Sequence, residues 1–249
     1  MRRKLVIGNW KMHGDHAALA QLLDSLRHSL SALSNTDVAV CPPFVYLAAA
    51  RQQLIGSVIA LGAQNLCAEA KGAFTGEISA AMLRDCGCRY VIVGHSERRQ
   101  LFHENDALVA AKTAAALQAN LTPIVCVGET LQQRETGATL GVIEAQLTAV
   151  FARLDSADIQ RIVIAYEPVW AIGSGKTATP AQAQEVHAFI RRQLTIVLPD
   201  AATVPILYGG SVKADNATTL FAQPDIDGGL IGGASLNAEE FAAICKAAE

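Results

Sequence analysis

Tyr90-Val91-Ile92-Val93-Gly94-His95-Ser96-Glu97 is the stretch on which the fold turns: four apolar, mostly β-branched residues, a glycine, then three polar residues. A short apolar run without alternation is what a strand buried on both faces looks like. Working outward, similar runs occupy 5–7, 38–40, 58–61, 124–127, 162–166, 205–208 and 229–231, which makes eight strands. Stretches with helical period lie between them, such as Leu19, Leu22, Leu23, Leu26 and Leu30, or Leu140, Ile143, Leu147, Val150, Phe151 and Leu154. Thr179-Pro180-Ala181-Gln182 supplies an N-cap, a first-turn proline and a capping-box glutamine, and Asn237 with Glu240 predicts a second box.

Strand and helix alternating eight times predicts α/β, either an open doubly wound sheet or a closed barrel. The polar residues choose. Asn9 and Lys11, Gln64 and Asn65, His95 and Glu97, Glu129, Glu167, Ser211, and Gly232-Gly233 each follow a strand, seven of the eight in all. An open sheet gathers its site at one switch point, whereas a barrel brings every C-terminal strand end to one mouth. The expectation is a closed eight-stranded parallel (β/α)8 barrel, with residues 1–249 as a single domain.

Composition agrees. Apolar residues are 51% of the chain and aromatics 5%, so the core must be aliphatic. The charge is 20 basic against 23 acidic residues, net −3, without blocks of one sign. That excludes the electrostatic footprint of a nucleic-acid or membrane partner and predicts a small-molecule one. The six cysteines lack paired C-x-x-C spacing, which fits free thiols in a reducing, cytoplasmic setting. The apolar N-terminal run breaks at Asn9 and Lys11, too early for a secretory h-region.

Several motifs resolve by what they lack. Glu167 stands at a strand end before Pro168, and the segment Pro168-Val169-Trp170-Ala171-Ile172-Gly173-Ser174-Gly175-Lys176-Thr177-Ala178 has large apolar residues followed by small ones. A loop glutamate is ordinarily a solvated charge. Beside a segment able to close, exclude water and raise basicity, it becomes a candidate base. Gly175-Lys176-Thr177 is not a nucleotide P-loop, because Trp170 occupies the position of the first glycine. Gly173-x-Gly175-x-x-Ala178 starts too far from its strand for a dinucleotide fingerprint. Arg98 replaces the closing glycine of a nucleophile elbow, His95-x-Glu97 lacks the partner cysteines of a zinc deaminase, and no HExxH pair occurs, so no metal is expected. Lys11 would set a fixed positive charge at the mouth. Gly209-Gly210-Ser211 and Gly232-Gly233 follow the last two strands, where barrels commonly bind phosphate.

Taken together, Gly8-Asn9-Trp10-Lys11, Gly62-Ala63-Gln64-Asn65, Gly72-Ala73-Phe74-Thr75-Gly76-Glu77, Gly94-His95-Ser96-Glu97-Arg98-Arg99, Ala165-Tyr166-Glu167-Pro168-Val169-Trp170 and both glycine turns resemble the triosephosphate isomerase family along nearly the whole chain. The resemblance implies a TIM barrel acting as a cofactor-free isomerase of dihydroxyacetone phosphate and D-glyceraldehyde 3-phosphate through an enediolate. It implies Glu167 as base, His95 as electrophile, Lys11, Asn9 and Glu97 around them, and main-chain N–H groups of Gly173, Ser211, Gly232 and Gly233 as the phosphate cradle. It makes 168–178 a lid. It also implies a homodimer in which loop 71–79, with Phe74, Thr75, Gly76 and Glu77, docks beside the neighbour's Lys11 and His95. Ser174, where threonine is usual, and His13, where asparagine is frequent, depart from the pattern without touching the reacting groups. Two other readings remain open: a Schiff-base lyase using Lys11, and a non-catalytic phosphate-binding barrel.

Overall fold

A computed structural model describes residues 2–173 and 177–249. The order is β1 (Lys4–Asn9), α1 (His16–Ser29), β2 (Thr36–Cys41), α2 (Leu47–Leu54), β3 (Ile59–Ala63), α3 (Ala80–Asp85), β4 (Tyr90–Val93), α4 (Ser96–Leu101), α5 (Asp106–Gln118) and β5 (Thr122–Val127). It continues with α6 (Leu131–Glu135), α7 (Thr139–Phe151), α8 (Ser156–Ile159), β6 (Val163–Tyr166), α9 (Pro180–Val197), β7 (Ile206–Tyr208), α10 (Ala214–Phe221), β8 (Gly228–Ile231) and α11 (Ala238–Lys246). The strands form one closed parallel barrel in sequence order, sealed where Leu5 to Gly8 of β1 pair with Gly228 to Ile231 of β8.

The unbroken apolar runs have a simple cause. Alternate residues such as Leu5, Ile7, Ile92, Ile124, Val163 and Leu207 fill the barrel interior. Their neighbours Val6, Val38, Val91, Val125, Ile164 and Ile206 pack outward against the helices. Both faces are dry, so both must be apolar. β1 runs past its apolar centre at both ends because pairing to β2 continues from Lys4↔Thr36 to Asn9↔Cys41. Lys4 tolerates its place by donating from Nζ to the carbonyls of Phe221 and Ile226, at 2.8 and 2.6 Å.

The Thr179 capping box forms, with the threonine and Gln182 satisfying each other's main-chain N–H. The second box forms by half. Asn237 accepts from Glu240 N at 3.0 Å, but the Glu240 carboxylate turns away to accept from Ala214 N at 2.8 Å, tying α11 to α10. In the loop after β3, Ile78 is half-buried against the core, whereas Phe74 remains in water.

Candidate active site

Asn9 is the last residue of β1, and its side-chain oxygen accepts the main-chain N–H of Lys11 at 3.1 Å. Lys11 sits at φ +49°, in the left-handed region that a residue with a Cβ enters at a cost. Two bonds hold it there. Besides Asn9, Gln64 at the end of β3 donates from Nε2 to the carbonyl oxygens of Lys11 and Cys41, both at 2.8 Å. The strained backbone aims the lysine ammonium across the mouth, where Nζ meets Glu97 Oε1 at 2.5 Å.

His95 follows β4 and caps α4. Its Nδ1 accepts from the main-chain N–H of Glu97 at 3.2 Å, which assigns the ring proton to Nε2. Nε2 then reaches Glu167 Oε1 at 2.9 Å. The Glu167 carboxylate, just past β6 and buried, also accepts from Ser96 N at 2.9 Å and Ser96 Oγ at 3.0 Å. Burial alone would raise its pKa, but the charge and hydrogen bond of His95 with the two Ser96 bonds prevail and hold it below the usual carboxylate value. For His95, burial pushes the pKa down while the Glu167 carboxylate pulls it up, and upward wins in this pairing.

A cavity of about 380 Å³ opens beside this pair, lined by Asn9, Lys11, His95, Gly173, Ser211, Gly232 and Gly233 among others. Glu167 and Glu97 stand behind that wall, each bonded to a lining residue, His95 and Lys11 respectively. Gly173 has φ +65° and Gly233 opens a short 3-10 turn to Leu236, so small residues let main chain face the cavity directly. Of the expected lid, Pro168 to Gly173 and Thr177 with Ala178 are described, and Ser174, Gly175 and Lys176 lie outside the described residues. Val169–Ala171 forms a 3-10 turn rather than open loop. Thr75, Gly76 and Glu77 are exposed with Phe74, on the loop after β3. Among the described residues, no group of three or more His, Cys, Asp or Glu is placed to hold a metal ion.

The family profile described as "Triosephosphate isomerase" matches residues 4–248. The chain belongs to the triosephosphate isomerase family. Curated members named triosephosphate isomerase are 61% identical in Thiobacillus denitrificans, over all of this chain and 99% of the relative, and 57% identical in Nitrosococcus oceani, over the full length of both. The Bordetella pertussis member is 58% identical over 99% of this chain and 98% of its own.

Set in this family barrel are polar residues whose work the sequence did not disclose. Glu129, after β5, is fully buried and its Oε1 accepts from Trp170 Nε1 at 2.8 Å, Tyr166 Oη at 3.1 Å and Arg134 at 3.2 Å. The Arg134 guanidinium lies over the Trp170 ring, 4.6 Å from its centre. Glu104 accepts from Arg98 at 2.6 Å and Lys112 at 2.5 Å, and Lys112 also holds Asn65 at 2.8 Å. The sequence places Glu129 after a strand but marks neither it nor Glu104 as buried, because nothing local distinguishes a buried glutamate; the partners that hold them do. Gly128 is also required by its site: a Cβ there would stand 1.8 Å from the Glu167 carbonyl oxygen.

Proposed function

We propose that this chain interconverts dihydroxyacetone phosphate and D-glyceraldehyde 3-phosphate, the triose phosphate isomerisation of glycolysis and gluconeogenesis, with Glu167 as base and His95 as electrophile. The observation that carries the reading is the 2.9 Å approach of Glu167 to His95 Nε2 beside a glycine-walled cavity that Lys11 enters. Moving hydrogen between adjacent carbons needs one base on one face and donors fixed where charge develops on oxygen. Glu167, turned from Ser96 and His95 toward the substrate, takes the carbon proton and returns it to the neighbouring carbon. That turn frees the Nε2–H of His95 for the substrate oxygen. It also removes the larger of the two negative charges that raise the imidazole, leaving burial, which lowers it, to outweigh the Glu97 carboxylate, while Lys11 lowers it further and the Glu97 N–H occupies Nδ1. A neutral imidazole is then the donor. Asn9 and Lys11 complete the field around the enediolate, Glu97 aligns the lysine, and main-chain N–H groups at Gly173, Ser211, Gly232 and Gly233 take the phosphate. Proton transfer of this kind calls for no redox or metal cofactor.

The 168–178 segment serves as the lid, residues 1–249 act as one domain, and the protein works as a cytoplasmic homodimer. The cytoplasmic reading is supported by six free cysteines; among the described residues, no helix is long and apolar enough to cross a membrane. The lyase alternative is disfavoured by the ion pair of Lys11 with Glu97, since a protonated amine has no lone pair to attack a carbonyl. Borohydride added with substrate should trap nothing. A coupled assay of triose phosphate interconversion tests the main claim. Wild type should turn over freely, and Glu167→Gln should lose roughly 10²- to 10⁴-fold in kcat. A Glu167→Gln enzyme of near wild-type rate would remove the carboxylate from the mechanism.

A further inference from the structure

His187, in α9 on the outer wall of the barrel, takes no part in the proton transfers above, yet its environment is unusual. Its ring is completely buried. Nδ1 lies 3.1 Å from the carbonyl oxygen of Asp225, which only accepts, so Nδ1 carries the proton. Nε2 has no hydrogen-bond partner among the described residues. Burial pushes the imidazole down to about 3, so the ring is neutral at working pH. A buried nitrogen without a partner is costly, and a phenyl ring would fill the space without that cost.

The neighbours suggest what the imidazole does. It stands edge-on to Tyr166, centroids 5.8 Å apart at 82°, and 6.3 Å from Tyr208; the two tyrosines are 6.5 Å from each other. Tyr166 ends β6 and Tyr208 ends β7, and they address opposite flanks of one segment. The Tyr166 hydroxyl shares Glu129 Oε1 with the Trp170 indole. The buried Tyr208 hydroxyl lies near the main-chain N–H of Ala178 but makes no hydrogen bond among the described residues.

We infer that His187 is a positioning residue for the reaction: tethered through Nδ1–H to Asp225, its ring wedges between Tyr166 and Tyr208 and sets both flanks of the 168–178 segment at once. The tether gives the histidine a fixed ring angle that phenylalanine would lack. This rests on the reading of that segment as the cover over an enediolate. An enediolate left in water can lose its phosphate: the C–O bond breaks, the electron pair leaves with inorganic phosphate, and the enediolate electrons form the new carbon–carbon double bond. The ratio of phosphate elimination to isomerisation therefore reports on the cover and is independent of how much enzyme is folded.

The test measures this ratio, kcat/KM and the thermal midpoint for wild type, His187→Phe and His187→Gln. His187→Phe should melt no lower than wild type yet lose roughly tenfold or more in kcat/KM, by misplacement remote from the chemistry, with the elimination ratio raised several-fold. His187→Gln, which keeps a donor for Asp225 but has no ring, should also raise the ratio, and serves alone if the phenylalanine variant fails to fold. An unchanged ratio in either folded variant overturns the inference. Wild type without triose phosphate turnover would instead refute the functional reading beneath it.

Discussion

His187 has a second consequence, for acid stability. The folded pKa of about 3 lies far below the ordinary 6.5, so the sign is settled. Above pH 6.5 both folded and unfolded chains hold the ring neutral and it contributes no pH dependence. As pH falls from 6.5 toward 3 the unfolded chain binds a proton that the folded chain refuses, and stability drops by up to about 1.4 kcal/mol per pH unit. Glu167, whose folded pKa is depressed, adds a loss in the same direction as pH falls through the carboxylate range. His95 acts oppositely: its raised pKa gives stability that is full below 6.5 and disappears as pH rises through the folded value. Subtracting the denaturant-derived stability of His187→Phe from that of wild type isolates the first effect. The difference should be flat above pH 6.5 and fall below it at fixed protein concentration. Parallel curves down to pH 4 would show that His187 is not held neutral.

At the scale of elements, the end of β5 is held to a tight tolerance by β6. Gly128 faces the Glu167 carbonyl so closely that no side chain fits, and Gln146 of α7 accepts its N–H at 2.8 Å. Gly128→Ala must push the β5 and β6 ends apart, costing about 3 kcal/mol or more and displacing the carboxylate it supports. A variant that melts and turns over like wild type would show that the strand ends have slack. The strands themselves could be read from sequence because burial on both faces leaves short apolar runs, and the position of the site followed from polar residues placed after them. Glu167, His95, Lys11 and Asn9 stand at such strand ends, and the structure brings them to one mouth. Strand limits were less so, since main-chain pairing carries β1 to Lys4 and Asn9 past its apolar centre. Glu240 was misjudged because a local capping pattern lost to a contact with Ala214, 26 residues away in sequence. That Glu129 and Glu104 are buried and paired shows only through the partners that folding delivers.

For the whole molecule, both ends of the barrel leave apolar residues in water, Ile55 and Val58 opposite the mouth among them. Opposite the mouth, the buried Asp227 carboxylate accepts from Arg2 at 2.6 Å, Arg191 at 2.5 Å and Ile206 N at 3.0 Å. At the mouth, the loops after the first four strands, neighbours in the closed order, leave large apolar residues in water. Met12 after β1 is 93% exposed, Phe74 after β3 46% and Phe102 after α4 62%, with Val45 and Leu101 also exposed. Scattered apolar residues are unremarkable on a surface, but a run of them along half of the mouth, beside the charged residues of the candidate site, is what the homodimer proposed above would cover. A second copy covering it, through Phe74 and loop 71–79, would bury apolar area worth about 25 cal/mol per Å² and dock against the loops bearing Lys11 and His95. Sedimentation should therefore give twice the 26.3 kDa chain mass. Phe74→Asp puts a charge into that contact and should shift the population to single chains with reduced kcat, because the strained Lys11 backbone loses its outer support. Single chains of wild type sedimenting at working concentration with full activity would mean that the mouth needs no partner.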